Sequence, residues 1–478
     1  DHFSVTLGGN GLLSNQNGVT DRAMLAFGLT GGGAGCGYSL IDHFSVTLGG
    51  NGLLSNQNGV TDRAVLAFGL TGGGAGSGGD DLCLILVVAD VGNGSAGGVL
   101  NIGGITGNTS LTFDNVHNYA KINVGTTATS YTTIGGIIGI PINGKGGTPV
   151  TNATNYGKIT YSGTGKTTVY IGGIVANRDE DGLAITIKDS NNYADIEVSE
   201  RAVLDSTIRV GGVLAYTASL GSLLENCSNS GNLTLSGNFT KQASVGGVIG
   251  MLGGGSILTA IKNLSNSGNL TLNGTLAGDA RMGGVIAVTN TAHNVEESEG
   301  LFTNTGKITF ASSSSKANAN IAIGGAIGAS GKNMLADKCQ FVNKGDIVID
   351  STPIEGQTVN IGGVIGSNTA QFINGTANCS IKAIGFSNVG MVMGSPRVET
   401  VTETESGNQV KVTGVKNCKL AGKIAKAGKE SIDDGGNELV PDWIDIDATN
   451  FVDYIYGGDT QWAEGTDYDG CSFLSVEL

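Results

Sequence analysis

Two short acidic stretches hold the residue types best suited to chemistry, Asp179-Glu180-Asp181-Gly182 and Asp445-Ile446-Asp447-Ala448-Thr449-Asn450. Each crowds carboxylate oxygens into a few residues, and oxygen is the ligand a calcium ion takes. Neither follows the EF-hand order, so Asp179, Asp181, Asp445 and Asp447 are calcium candidates without a motif around them. The histidines are His2, His43, His117 and His293, and no cysteine–histidine group has zinc spacing. Ser162-Gly-Thr-Gly-Lys-Thr167 comes near the phosphate-cradling pattern, but its first glycine would fall at Thr160. That makes it a loop. No catalytic residue and no cofactor is indicated.

The elements that would position any site are repeats. An asparagine recurs at Asn118, Asn155, Asn192, Asn229, Asn266, Asn304, Asn343 and Asn388, and the first five are 37 residues apart. Two residues on, the side chain is always small, from Ala120 and Gly157 to Gly345 and Gly390. Four residues on, it is always aliphatic, as at Ile159, Leu233 and Ile347. The alternation has period two, which is a strand with one buried face. Glycine pairs beginning at Gly103, Gly135, Gly172, Gly211, Gly246, Gly283, Gly324 and Gly362 punctuate a second apolar run. Paired glycines inside a strand pattern mark a bend or a close approach of backbones.

A period in this range is read as a repeat architecture before anything else. The expected fold is all-β, a right-handed parallel β-solenoid with coils of about 37 residues. One asparagine per coil would stack into an amide ladder. About three strands per unit favour this over a β-propeller, whose blades use four antiparallel strands. Eight or nine coils would give a rod of roughly 40 Å at about 4.8 Å per coil.

Around the array (residues 80–424) lie two other segments. Residues 1–35 and 42–76 are the same sequence apart from Met24 against Val65, so 1–79 reads as a duplicated Gly-rich strand segment. Its alternating runs, Phe3–Leu7 and Ala64–Leu70, at the end of a solenoid, point to strand exchange between chains, head to tail. Residues 425–478 shift to acids and aromatics and read as a cap over the last coil. Within it Trp443, Tyr454, Tyr456 and Trp462 are candidate ligand-binding residues. The loop 397–409 reads as an exposed insertion. Cys227 and Cys418 fall two residues before the asparagine register, where other units place Val116, Leu264 or Phe302, so they are expected as free thiols in the core.

A net charge of −15 and a pI near 4.6 argue against nucleic acid or anionic lipid as partners. The longest apolar run of this kind, Leu82–Ala89, is too short to span a bilayer.

The units Asn226-Cys-Ser-Asn-Ser-Gly-Asn-Leu-Thr-Leu and Val245-Gly-Gly-Val-Ile-Gly250 resemble the GLUG-type repeats of bacterial surface proteins, in a style similar to those of Bacteroidetes. The likeness covers roughly residues 98–424. It implies an extracellular or cell-surface scaffold, a spacer, fibre component or adhesin that meets glycans or a host surface and performs no catalysis. The alternative is a carbohydrate-active β-helix enzyme, a polysaccharide lyase or a glycosidase. A glycosidase needs two carboxylates about 5–9.5 Å apart, and the array's acids, such as Glu296, Glu297 and Glu299, gather in loops.

Overall fold

The computed structural model describes the strands His2–Gly8, Ala23–Thr30, His43–Gly49, Arg63–Thr71 and Val87–Gly94, and then residues 99–475 without 110–111, 127–130, 142–147, 179–183, 219–220, 254–258, 290–297, 315–317, 331–337, 369–371, 396–397, 403–408, 414, 434–435 and 458–469.

Among these residues the chain is a parallel β-solenoid. The coil starting at Leu223 shows the pattern. Leu223–Asn229 runs in as a strand, turns at Gly231, and continues as Leu233–Leu235, Asn238–Phe239, Ala243–Gly246 and Ile249–Leu252. These five short segments replace the three expected, because the ladder asparagine and the glycine pair each break a strand. Leu233, Leu235, Phe239, Val245, Val248 and Ile249 all point inward and are buried. The next coil repeats each position: Leu233 pairs with Leu270, Phe239 with Leu276, Val245 with Met282, all in parallel. Like therefore packs on like along the axis, and the aliphatic stacks merge into one core.

Entry to the asparagine strand is a left-handed turn. Asn115, Asn152, Asn226 and Asn263 have φ between 48° and 53°. Asparagine tolerates that region better than other non-glycine residues. The signal was in the sequence as Asn-x-x-Asn, three residues before Asn118, Asn155, Asn229 and Asn266; before Asn192 the left-handed residue is Asp189.

The duplicated segment joins the same sheets. His2–Gly8 pairs in parallel with His43–Gly49, each residue on its identical counterpart, and Ala23–Thr30 pairs in parallel with Arg63–Thr71, identical apart from Met24 on Val65. His43–Gly49 then pairs with Val87–Gly94, and that strand with Ile122–Thr126. Strand pairing thus runs unbroken past residue 79.

One register assignment needs correction. Asn388 does not follow Asn343 in the ladder. The rung above Asn343 is Ala377, in the strand Gly375–Lys382, and Leu420 stacks on Ala377. Asn388 instead precedes Val389-Gly390, which pairs with Ile361-Gly362 in the glycine sheet, and its amide donates to Asn360 Oδ1 at 3.0 Å. Asn388-x-Gly390 mimics the ladder spacing, while the true rung carries alanine. Within the expected insertion loop 397–409, Val398–Thr402 pairs in antiparallel fashion with Gln409–Thr413.

At the C-terminal end, Lys419–Ala425 is flanked by Ile444–Ile446, antiparallel, and by Ser472–Phe473, parallel. This covers the last coil.

Candidate functional site

Among the described residues the asparagine ladder is the most completely built polar feature. Asn155 Nδ2 donates to the Gly157 carbonyl at 3.2 Å and to Asn192 Oδ1 at 2.8 Å. Its Oδ1 accepts from the Gly157 amide and from Asn118 Nδ2. Both donors and both acceptor positions of the amide are used, which is what a fully buried Asn requires. The amide-to-amide bond repeats six times, from Asn118 through Asn155, Asn192, Asn229, Asn266 and Asn304 to Asn343, at 2.7–2.8 Å. These seven asparagines are buried. Their role is structural.

Chemistry available to solvent lies one residue further on. Tyr119, Tyr156 and Tyr193 follow three consecutive ladder asparagines and stack outside the solenoid, with ring centroids 4.7 and 5.3 Å apart and planes within 19° and 7°. They are 39, 45 and 51% exposed, so the strip offers aromatic edges and a rank of phenol hydroxyls to the solvent. The Tyr156 phenol is pushed up, by partial desolvation first and then by its two tyrosine neighbours. This strip was missed in the sequence, although Asn-Tyr recurs at 118, 155 and 192.

A second aromatic group lies on the outer side of the glycine sheet, where Tyr170, Tyr216 and Met251 form a small apolar cluster. The Arg209 guanidinium lies over the Tyr170 and Tyr216 rings at 5.2 and 4.8 Å and donates to the Tyr170 hydroxyl at 2.9 Å.

The candidates from the sequence separate. Asp179, Asp181 and Trp462 lie outside the described residues, as do Glu296 and Glu297. Asp447 accepts from the Thr449 amide and hydroxyl and from the Asn450 amide, which holds its carboxyl below the usual range. Its Oδ1 closes a turn ahead of the short helix Phe451–Tyr454, and Asp445 sits on the strand that pairs with Lys423. Among the described residues no three His, Cys, Asp or Glu side chains gather as a metal site.

Trp443 is exposed and carries Lys423 Nζ 4.6 Å from its ring. Tyr454 is half-buried, with Lys426 Nζ at 5.8 Å. Tyr456 is the exception that overturns the grouping. It is buried in the core and bridges to Met393, because the cap uses it to extend the glycine sheet by one rung. It is not part of a solvent-facing site.

Cys227, Cys339, Cys379 and Cys418 are buried, and each stands as a free thiol in this structure. Burial pushes the thiols of Cys227, Cys339 and Cys379 up to about 12. They behave as small apolar side chains. Among the described residues no helix is long and apolar enough to cross a membrane.

No family model matches the chain, and no curated protein or solved structure matches it.

Proposed function

We propose that the chain is a rigid, non-enzymatic scaffold of a bacterial surface, serving as a spacer, fibre component or adhesin of the GLUG-like kind. The observation that carries this reading is the uninterrupted amide ladder from Asn118 to Asn343. Seven rungs separated by six steps of about 4.8 Å make roughly 29 Å of axis with one hydrogen-bonded spine. Such a spine resists bending, since tilting one coil against the next stretches several buried bonds together. Rigidity at constant cross-section is what a spacer requires.

Contact with glycans or a host surface falls to the tyrosine strip, Tyr119, Tyr156 and Tyr193, which places hydroxyls and ring edges along one face. Association with further copies uses the strand edge at His2–Gly8, which pairs on one side with His43–Gly49.

The test incubates the full chain with a panel of neutral and acidic polysaccharides. Retention on insoluble polysaccharide without release of reducing ends or unsaturated products is expected, with retention lost in a variant carrying serine at the three tyrosines. Catalytic release of oligosaccharides would overturn the reading in favour of the lyase or glycosidase. Antibody labelling of intact source cells checks the surface location.

A further inference from the structure

The end of the solenoid brings two cysteines together that lie far apart in sequence. Cys418 is the buried residue at the start of Lys419–Ala425, and Cys471 immediately precedes Ser472–Phe473. Those strands pair in parallel, Lys419 with Ser472 and Leu420 with Phe473. The Ser472 amide donates to the Cys418 carbonyl at 2.9 Å and the Leu474 amide to that of Leu420 at 2.9 Å. One residue before this register stand Cys418 and Cys471, each immediately ahead of its strand. Facing residues in a sheet direct their side chains to the same side. The Cys418 amide donates to Cys471 Sγ at 3.4 Å, and the two thiols are in contact. Cys471 packs against the core yet remains partly exposed.

We propose that Cys418 and Cys471 form a disulfide that staples the C-terminal strand onto the last coil. Neighbouring strands lie about 4.8 Å apart, inside the 4.4–6.8 Å span between α-carbons that a disulfide bridges. Cys227 has no such neighbour, because the residue beside it in the next coil is Leu264. The oxidant is a small-molecule disulfide such as oxidised glutathione. The accessible Cys471 thiolate attacks it, forming a mixed disulfide and releasing one glutathione thiolate. The Cys418 thiolate then attacks the Cys471 sulfur and releases the second. Two cysteine thiols lose two protons and two electrons, and one glutathione disulfide becomes two glutathione thiols.

The bond ties both ends of a segment that holds the cap, from the strand pairing with Ile444–Ile446 to the rung made by Tyr456. Cross-linking a chain across so long a loop removes freedom from the unfolded ensemble, and the effect grows with loop length. It also keeps the last strand edge covered, where an open edge would accept another chain. An exported location, as in the preceding reading, supplies the oxidising surroundings. The bond itself depends only on the geometry at Cys418 and Cys471.

The experiment equilibrates the full chain in a glutathione redox buffer, blocks remaining thiols by alkylation and digests without reduction. A peptide pair joined through Cys418 and Cys471 is expected, with Cys227 and Cys379 alkylated only after unfolding. The oxidised protein should melt several degrees above the reduced one, and that difference should vanish in Cys471→Ser, a change at a half-buried position. Alkylation of Cys418 and Cys471 under oxidising conditions, or a bond from either to a different cysteine, would overturn the proposal. A scaffold inactive towards polysaccharides leaves this result untouched, so the two readings fail separately.

Discussion

Gly136 lies directly against the side-chain amide of Asn155, so closely that a Cβ on Gly136 would stand 2.5 Å from the amide carbon. The same approach recurs at Gly104 with Asn118, Gly212 with Asn229 and Gly247 with Asn266. The asparagine ladder and the second glycine of each pair from Gly104 to Gly325 are thus two sides of one contact across the solenoid. The two sequence signals exist because of each other.

Gly136→Ala is expected to destabilise the protein by about 1–3 kcal/mol or more, as overpacking does in a close-packed interior. The methyl would meet both the Asn155 amide and the Gly173 carbonyl. Urea midpoints of the two proteins check it. An unchanged midpoint would mean the contact is looser than described.

Position within the ladder should set the cost of losing a rung. Asn229→Ala strands a donor on Asn192 and an acceptor on Asn266, at about 1–3 kcal/mol for each unmatched group. Asn343→Ala strands only one neighbour, Asn304, because the next rung is already Ala377. The end variant should therefore retain clearly more stability in denaturant titrations.

Leu233→Ala should cost about 2–5 kcal/mol, since the side chain is wholly buried between Ile196 and Leu270. Lys158→Ala should change stability by less than about 1 kcal/mol, because its ion pair with Glu197 is solvent-exposed on both sides. Equal midpoints would refute the inward placement of Leu233.

Acid should loosen the cap before the coils. Asp447 has its carboxyl held below the usual value of 3.8 by hydrogen bonds from Thr449 and Asn450. A depressed folded value contributes stability above the ordinary carboxylate range, and that contribution is lost as pH falls through the folded value. Trp443 fluorescence should report a cap transition at low pH, and Asp447→Asn should abolish its dependence on this proton.

Tyr156→Ser should remove the coupled near-ultraviolet circular dichroism of the tyrosine strip while barely moving the melting temperature. Tyr156 is the middle ring of the stack and is 45% exposed. A surface substitution of this kind usually changes stability by about 0.5 kcal/mol or less. Unaltered dichroism would show that the rings do not stack in solution.

The sequence by itself determined the period, the class of fold and the identity of the stacked positions. Those are local and repeated. An alternating strand such as Leu233-Thr-Leu235 has only one way to bury its apolar face, and a 37-residue period forces each copy onto the next. What lay beyond it were relationships between residues distant in sequence. Asn388 carried the right spacing, yet strand pairing gave the rung to Ala377 and put Asn388 in the opposite sheet. Tyr456 read as a candidate ligand-binding residue, and the cap folds it into the core. Comparing units position by position paired Cys418 with apolar residues of other coils, while its neighbour at the open end is Cys471. The ends of a repeat array have no equivalent coil to copy, so only the tertiary path of the chain decides what lies beside them.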